Sequence, residues 1–349
     1  MMYAAMSGLT VLPEIPPNTI FLHCNQNQLT QLHNLPESLE ILHCETNELE
    51  YLPTLPDTLT YLDCSHNFLQ CLPELPPNIG EVRCVNNQLD LLPSLPESLE
   101  VLYCTANYLQ NLPTLPPNLR LLNCEQNRLS TLPLLPNKLT SLVVTLNDLW
   151  EISDLPPSLT VFRAGMNHLQ TLPNLPQNLR TLDCWKNRLS QLPALPLSVN
   201  YLDCSDNQLT ELPTLPPFLF ALYCGNNHLT KLPPLPQYLR IMSCGNNCLT
   251  SLPDMPPSVV TLEEGTNPWN SHFSTIVQAS DPISQIREYY VRRNANKAIA
   301  RNIILLSRTI ERHNLPEDIV CYIASYVSGS SKTLLTQMTE LKQCIVPVE

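Results

Sequence analysis

Ten cysteines recur at one position of a twenty-residue spacing, a pattern that could serve metal binding, disulfide bonding or packing. Val144 and Ala164 occupy the same position in two copies, and neither a disulfide nor a thread of metal ions readily tolerates an apolar side chain inside it. The column also lacks the C-x-x-C spacing of a zinc site. We therefore expect a buried ladder of reduced, inert thiols, since free cysteine packs as a small hydrophobe and unpaired thiols suit a reducing compartment. The column consists of Cys24, Cys44, Cys64, Cys84, Cys104, Cys124, Cys184, Cys204, Cys224 and Cys244.

Catalytic chemistry has little support elsewhere in the chain. His23 and His43 lie one repeat apart, but no third ligand recurs with them, so we predict an exposed pair and no metal site. Cys204-Ser205-Asp206 spells C-x-D, yet its cysteine belongs to the inward column. The chain has no G-x-S-x-G motif, and its seven glycines supply no phosphate-binding loop. The sequence therefore predicts neither an enzyme nor a cofactor.

The cysteines and histidines named above belong to a sequence repeat of twenty residues. The repeat occurs thirteen times without insertion or deletion, and Leu52–Leu69 is typical of it. The frame, L-P-x-L-P-x-x-L-x-x-L-x-C-x-x-N-x-L-x-x, is a leucine-rich-repeat pattern with cysteine in place of one leucine. It predicts an α/β repeat solenoid, a curved horseshoe with short parallel strands such as Tyr61–Asp63 on its concave side. The paired prolines favour a polyproline-like convex side. An asparagine recurs in every copy from Asn27 to Asn267, and we expect its amide to bond backbone groups of the adjacent coil.

The sequence divides into three segments. Residues 1–10 are a short lead-in, residues 11–270 hold the repeats, and residues 271–349 change to helical periodicity. Asp281-Pro282 is typical of a helix start, with proline at the first helical position. We expect a small all-α cap or domain that packs on the last coil, with Trp269 among its contacts.

Charge is distributed unevenly along the chain. Residues 1–270 hold 10 Lys and Arg against 24 Asp and Glu, whereas the remaining 79 residues hold 9 against 7. An acidic solenoid disfavours nucleic acid, which requires clustered cations, and favours a protein partner with a basic surface. No stretch approaches the roughly twenty apolar residues of a transmembrane helix. Met1–Val11 lacks the features of a classical signal peptide.

The outward positions of the strands are the predicted binding surface. Framework positions barely vary between copies, whereas these positions vary freely, and exposed Tyr, Trp and Arg are the usual anchors of a protein interface. The alternative is that they only keep the face soluble. The predicted protein-binding residues are Tyr61, Asp63, Arg83, Tyr103, Arg163, Asp183, Trp185, Tyr201, Asp203 and Tyr223.

The phrase LPxLPxxLxxLxxxxNxL, held to twenty residues over about 11–270, resembles the repeats of bacterial effectors of the YopM and IpaH type. The resemblance implies a protein made in the bacterial cytoplasm, translocated into the host cytosol, and binding a host protein through its solenoid. Those effectors carry a helical hairpin before the repeats that is missing here, so their secretion route is not carried over. The ubiquitin-ligase domain of the IpaH group, with its C-x-D, is not implied either. The cysteines of residues 271–349, which we call the tail, stand in Cys321-Tyr322-Ile323 and Cys344-Ile345-Val346, and neither triplet ends in aspartate.

The tail leaves two alternatives open. Its segment LPEDIVCYIASYV is similar to the opening of an F-box, which would recruit the adaptor of a cullin-type ubiquitin ligase, although capping of the solenoid explains the same residues. A basic face between Arg287 and Arg312 would suit a membrane surface instead. The residues that carry the F-box resemblance are Leu315, Pro316, Ile319, Ile323 and Tyr326.

Overall fold

The computed structural model describes residues 1–263 and 265–268, which form a solenoid with one short strand in each coil. The strands form a single parallel sheet in chain order, so each pairs with the strands before and after it. The predicted parallel-strand leucine-rich-repeat solenoid is confirmed. The strands are β1 Met2–Tyr3, β2 Phe21–His23, β3 Ile41–His43, β4 Tyr61–Asp63, β5 Glu81–Arg83, β6 Val101–Tyr103, β7 Leu121–Asn123, β8 Ser141–Val143, β9 Val161–Arg163, β10 Thr181–Asp183, β11 Tyr201–Asp203, β12 Ala221–Tyr223, β13 Ile241–Ser243 and β14 Thr261–Glu263.

Strand register follows directly from the fixed period. Leu62 pairs with Val82, and every partner in the repeat lies twenty residues away. Alternation along the strand buries Leu62 completely and leaves Tyr61 and Asp63 partly exposed. The same apolar frame positions therefore stack from coil to coil in one continuous core.

The asparagine ladder joins consecutive coils through their backbones, as predicted. Asn67 Nδ2 donates to the carbonyl oxygens of Cys64 in its own coil and Cys44 in the preceding coil, both at 3.1 Å. Its Oδ1 accepts the backbone N–H of Leu49 at 3.0 Å. Each asparagine thus satisfies backbone groups that the narrow turn would otherwise bury without partners.

The cysteine column is buried and reduced. Every cysteine within residues 1–263 is a free thiol, and all ten members of the column are fully buried. Several thiols donate to the carbonyl oxygen that ends the next strand, as Cys24 Sγ does to His43 at 3.3 Å. Burial raises the pKa of Cys24 to about 12, so its thiol stays protonated near neutral pH.

Twelve of the thirteen coils also contain a left-handed residue that the sequence did not reveal. It immediately precedes the asparagine, where Thr46 has φ of 58° and Leu146 has φ of 57°. Non-glycine side chains destabilise this conformation by about 1–2 kcal/mol per residue. The tight turn before each ladder asparagine from Asn27 to Asn247 is thus strained, and the stacking of coils maintains it.

The lead-in is more ordered than the sequence analysis expected, since β1 pairs in parallel with β2. The Leu9 N–H donates to Asn27 Oδ1 at 3.0 Å, as the Leu29 N–H does to Asn47 Oδ1 in a full coil. The first ten residues therefore form an incomplete coil that covers the first complete one.

The predictions for residues 271–349 lie outside the described residues. This holds for the helical domain, its proposed contact Trp269, the F-box-like residues Leu315, Pro316, Ile319, Ile323 and Tyr326, and the basic helical face. In the part of the chain that is described, no helix has the length and apolar character required to cross a membrane.

Candidate functional site

The ten predicted binding residues fall into two groups along the outer face of the sheet. Tyr61, Asp63, Arg83 and Tyr103 lie on β4 to β6 and form what we call the amino-terminal group. The others lie on or just after β9 to β12, and β7 and β8 separate them from the first group. This second group, the Trp185 patch, consists of Arg163, Asp183, Trp185, Tyr201, Asp203 and Tyr223.

The amino-terminal group is largely satisfied by its own contacts. Arg83 Nε lies 2.6 Å from Glu81 Oε1. The Arg83 guanidinium also lies 5.1 Å from the ring centroid of Tyr103 and 5.9 Å from that of Tyr61. Because its charge is paired and its plane is stacked, Arg83 has less to offer a partner than an unpaired arginine would.

Trp185 is placed by a glycine in the neighbouring coil. A Cβ atom at Gly165 would lie 2.3 Å from both Cδ1 and Nε1 of Trp185 and 3.2 Å from Asp183 Oδ1. The indole therefore lies directly over the Gly165 backbone, in a position that any side chain at residue 165 would block. Trp185 is half-buried, with one part packed on the coil and the other available to a ligand.

Two carboxylates flank this tryptophan on adjacent strands. Asp183 and Asp203 are partners in the sheet register. Burial raises the pKa of Asp183 to about 6, and the Asp203 carboxylate adds to the rise. Asp203 Oδ1 accepts the Ser205 hydroxyl at 2.5 Å and the Ser205 N–H at 3.0 Å. Asp183 Oδ1, in contrast, is buried and accepts no hydrogen bond.

A pair of tyrosines extends the patch. The ring centroids of Tyr201 and Tyr223 lie 5.7 Å apart. Tyr201 pairs in register with Ala221, whose small side chain is 2% exposed, so the tyrosine ring has space to incline toward Tyr223. Burial and the neighbouring Asp203 raise the pKa of Tyr201 to about 12, so its hydroxyl stays a hydrogen-bond donor at neutral pH. Aromatic area and acidic acceptors are thus combined on one surface.

The structure also brings together residues that the sequence analysis did not combine. Gly165 was not among the residues singled out from the sequence, yet its missing side chain makes room for Trp185. No metal site was predicted at His23 and His43, because no third ligand recurs with them in the sequence. Glu45 and Asp63 in fact lie next to His43. The sequence signal that could have revealed this cluster is the presence of His43 and Glu45 in one coil and Asp63 in the next.

The C-x-D sequence has no catalytic geometry. Cys204 is fully buried, its Sγ donates to the Tyr223 carbonyl oxygen at 3.4 Å, and burial raises its pKa well above the ordinary value. A protonated, inward thiol is not a nucleophile.

Stacked twenty-residue coils, one parallel strand in each, a leucine core and an asparagine ladder together define a leucine-rich-repeat protein. Neither a protein-family model nor a curated protein matches the chain, but solved structures do. YopM from Yersinia enterocolitica WA-314 is 42% identical with a TM-score of 0.67, over 74% of this chain and 63% of that one. YopM from Yersinia pestis, described as a leucine-rich effector protein, is 37% identical with a TM-score of 0.61, over 74% and 86%.

This chain belongs to the YopM family of bacterial leucine-rich-repeat proteins. It spans less than two thirds of the Yersinia enterocolitica protein. The functional domain of InlJ from Listeria monocytogenes, which includes a cysteine ladder, shares the fold at 24% identity and a TM-score of 0.54, over 67% of this chain and 59% of that one.

Proposed function

We propose that this protein is a translocated bacterial effector that binds a basic host protein through the Trp185 patch. The observation that carries the proposal is the position of Trp185, held over Gly165 beside a half-buried carboxylate. Membership of the YopM family, one member of which is described as an effector, supports the host-directed role.

The patch has the composition that drives protein association. Rigid, partly desolvated Trp and Tyr side chains carry most of the binding energy in protein interfaces, because they bury a large area at low conformational entropy. Trp185, Tyr201 and Tyr223 supply that area. A partner that covers them also removes water from the carboxylates around them.

The under-satisfied carboxylate favours a positively charged partner. Asp183 Oδ1 accepts no hydrogen bond among the described residues, and Asp203 next to it carries the same charge, although Arg163, its register partner on β9, offsets part of that repulsion. A lysine or arginine of the partner would satisfy Asp183 and relieve this repulsion. The excess of acidic residues in residues 1–270 would speed the encounter with such a surface.

The test is capture of the partner from host-cell lysate, identification by mass spectrometry, and measurement of the dissociation constant with purified proteins. Replacing Trp185, Tyr201 and Tyr223 by Ala together should abolish capture, since each hot-spot residue contributes on the order of 2 kcal/mol. Trp150→Ala is the matched control. Trp150 is 51% exposed, its ring lies tilted against that of His168 at 5.1 Å between centroids, and it is not a member of the patch.

Two outcomes would contradict the proposal. Capture that survives the triple substitution, with the variant folded as judged by circular dichroism, removes the patch from consideration. If deletion of residues 271–349 then abolishes capture, the tail carries the binding. Capture of a ligase adaptor in that experiment would favour the F-box-like alternative.

A further inference from the structure

The strongest unexplained group outside the Trp185 patch lies at the amino-terminal end of the sheet. His43 is the last residue of β3, Glu45 follows two residues later, and Asp63 is the register partner of His43 on β4. All three are half-buried and face the same side of the sheet. One ligand atom from each lies within 4.8 Å of the other two.

The three groups satisfy one another only in part, since His43 faces Glu45 while Asp63 Oδ1 accepts the Ser65 N–H at 3.1 Å. Glu45 Oε2 is buried and accepts no hydrogen bond. This oxygen lies 3.6 Å from His43 Nδ1. Burial raises the pKa of Glu45, and the Asp63 carboxylate adds to the rise. The nearby Arg83 does not resolve this, because its Nε is paired with Glu81 at 2.6 Å.

The imidazole is held in place by its neighbours. The His43 ring stacks on His23 at 4.6 Å between centroids, and Tyr61 lies 4.9 Å away on a second side. These contacts restrict the rotation of the ring and limit the entropy lost when it binds a ligand. A fixed imidazole between two rows of carboxylates is a preorganised donor set.

This combination of His43, Glu45 and Asp63 occurs only once among the repeats. No other pair of consecutive coils places a histidine and two carboxylates at these three frame positions. The coil before has His23, Asn25 and His43, and the coil after has Asp63, Ser65 and Arg83. Repetition of the frame therefore does not account for the cluster.

We infer that His43, Glu45 and Asp63 form a binding site for a divalent transition-metal ion of the zinc class. Imidazole nitrogen and carboxylate oxygen are ordinary ligands of Zn²⁺, with bonds of about 2.0–2.2 Å. The observed 3.6 Å separation of Nδ1 and Oε2 is close to the spacing between ligand atoms in a tetrahedral site, and Asp63 offers an oxygen within 4.8 Å of both. Three protein ligands leave the fourth position for water or for a side chain of a bound protein.

Calorimetric titration of the full chain with Zn²⁺ tests the site. We expect one site on the wild-type protein, and at least about tenfold weaker binding in Glu45→Gln and in Asp63→Asn. Zn²⁺ should raise the melting temperature of the wild type more than that of either variant, because it binds the folded state. His168→Ala is the matched control. His168 Nε2 lies 3.6 Å from Asp148 Oδ1, a similar histidine–carboxylate pair outside the proposed cluster.

Titration with Co²⁺ separates this site from the cysteines. Nitrogen and oxygen ligation gives only weak visible bands, and His43→Ala should abolish them. An intense thiolate-to-cobalt band would instead place the metal on cysteine and overturn the inference. So would unchanged Zn²⁺ affinity in both Glu45→Gln and Asp63→Asn, which are near-isosteric changes of half-buried side chains.

Discussion

Removing one asparagine of the ladder should destabilise the solenoid far more than removing an exposed asparagine. Asn167 is 5% exposed, and its Nδ2 donates to the carbonyl oxygens of Val144 at 2.9 Å and Ala164 at 3.1 Å. Its Oδ1 accepts the N–H of Leu149 at 3.0 Å. Asn167→Ala deletes all of these bonds and leaves backbone groups of two coils without partners.

The magnitude follows from the groups left behind. A buried donor without a partner costs about 1–3 kcal/mol. The Leu149 N–H would be such a donor and would incur the whole of this cost, whereas the carbonyl oxygens of Val144 and Ala164 would each lose one hydrogen bond. We therefore expect Asn167→Ala to reduce the free energy of unfolding by about 2–4 kcal/mol. Because each coil contacts only its neighbours, the loss concentrates near Asn167 and can make unfolding less cooperative.

Urea unfolding followed by circular dichroism measures this change, and hydrogen exchange of the Leu149 amide locates it. The control is Asn174→Ala, an exposed residue in the next coil for which a change within about 0.5 kcal/mol is expected. Equal midpoints for the two variants, with Leu149 still protected from exchange, would refute the role assigned to the ladder.

Three further predictions concern backbone and charge. Gly165→Ala should displace Trp185 and weaken partner binding by about 2 kcal/mol, roughly 30-fold. Gly80→Ala, where a Cβ would lie 3.7 Å from the nearest atom, should bind normally, and equal affinities would contradict the packing described. Thr46→Gly should raise the free energy of unfolding by about 1 kcal/mol by relieving left-handed strain; a loss in urea unfolding would argue against that strain. Since the folded pKa of Asp183 is about 6, above its ordinary value, its contribution to stability falls as pH rises from about 4 to 6. Asp183→Asn should flatten that part of the stability–pH profile, and an unchanged slope would count against the raised pKa.

The twenty-residue frame by itself determined the architecture of this protein. A period without insertions admits one register, so the strands, the buried leucines and the inward cysteines could be placed from the sequence. The asparagine ladder could be anticipated for the same reason, because a polar residue buried in every coil has to find a backbone partner. Val144 and Ala164 identified the cysteine column as core before its burial was known.

The properties of the candidate sites depended on contacts that only the stacked coils create. Trp185 can lie over Gly165 only because the two coils approach closely and residue 165 has no Cβ atom. Aligning the repeats does not reveal that these two residues are in contact. Asp183 and Glu45 are ordinary acidic residues in the sequence. Their missing hydrogen-bond partners and raised pKa values come from burial by neighbouring coils. Burial and electrostatic coupling depend on distances between side chains of different coils, so the tertiary structure decided them.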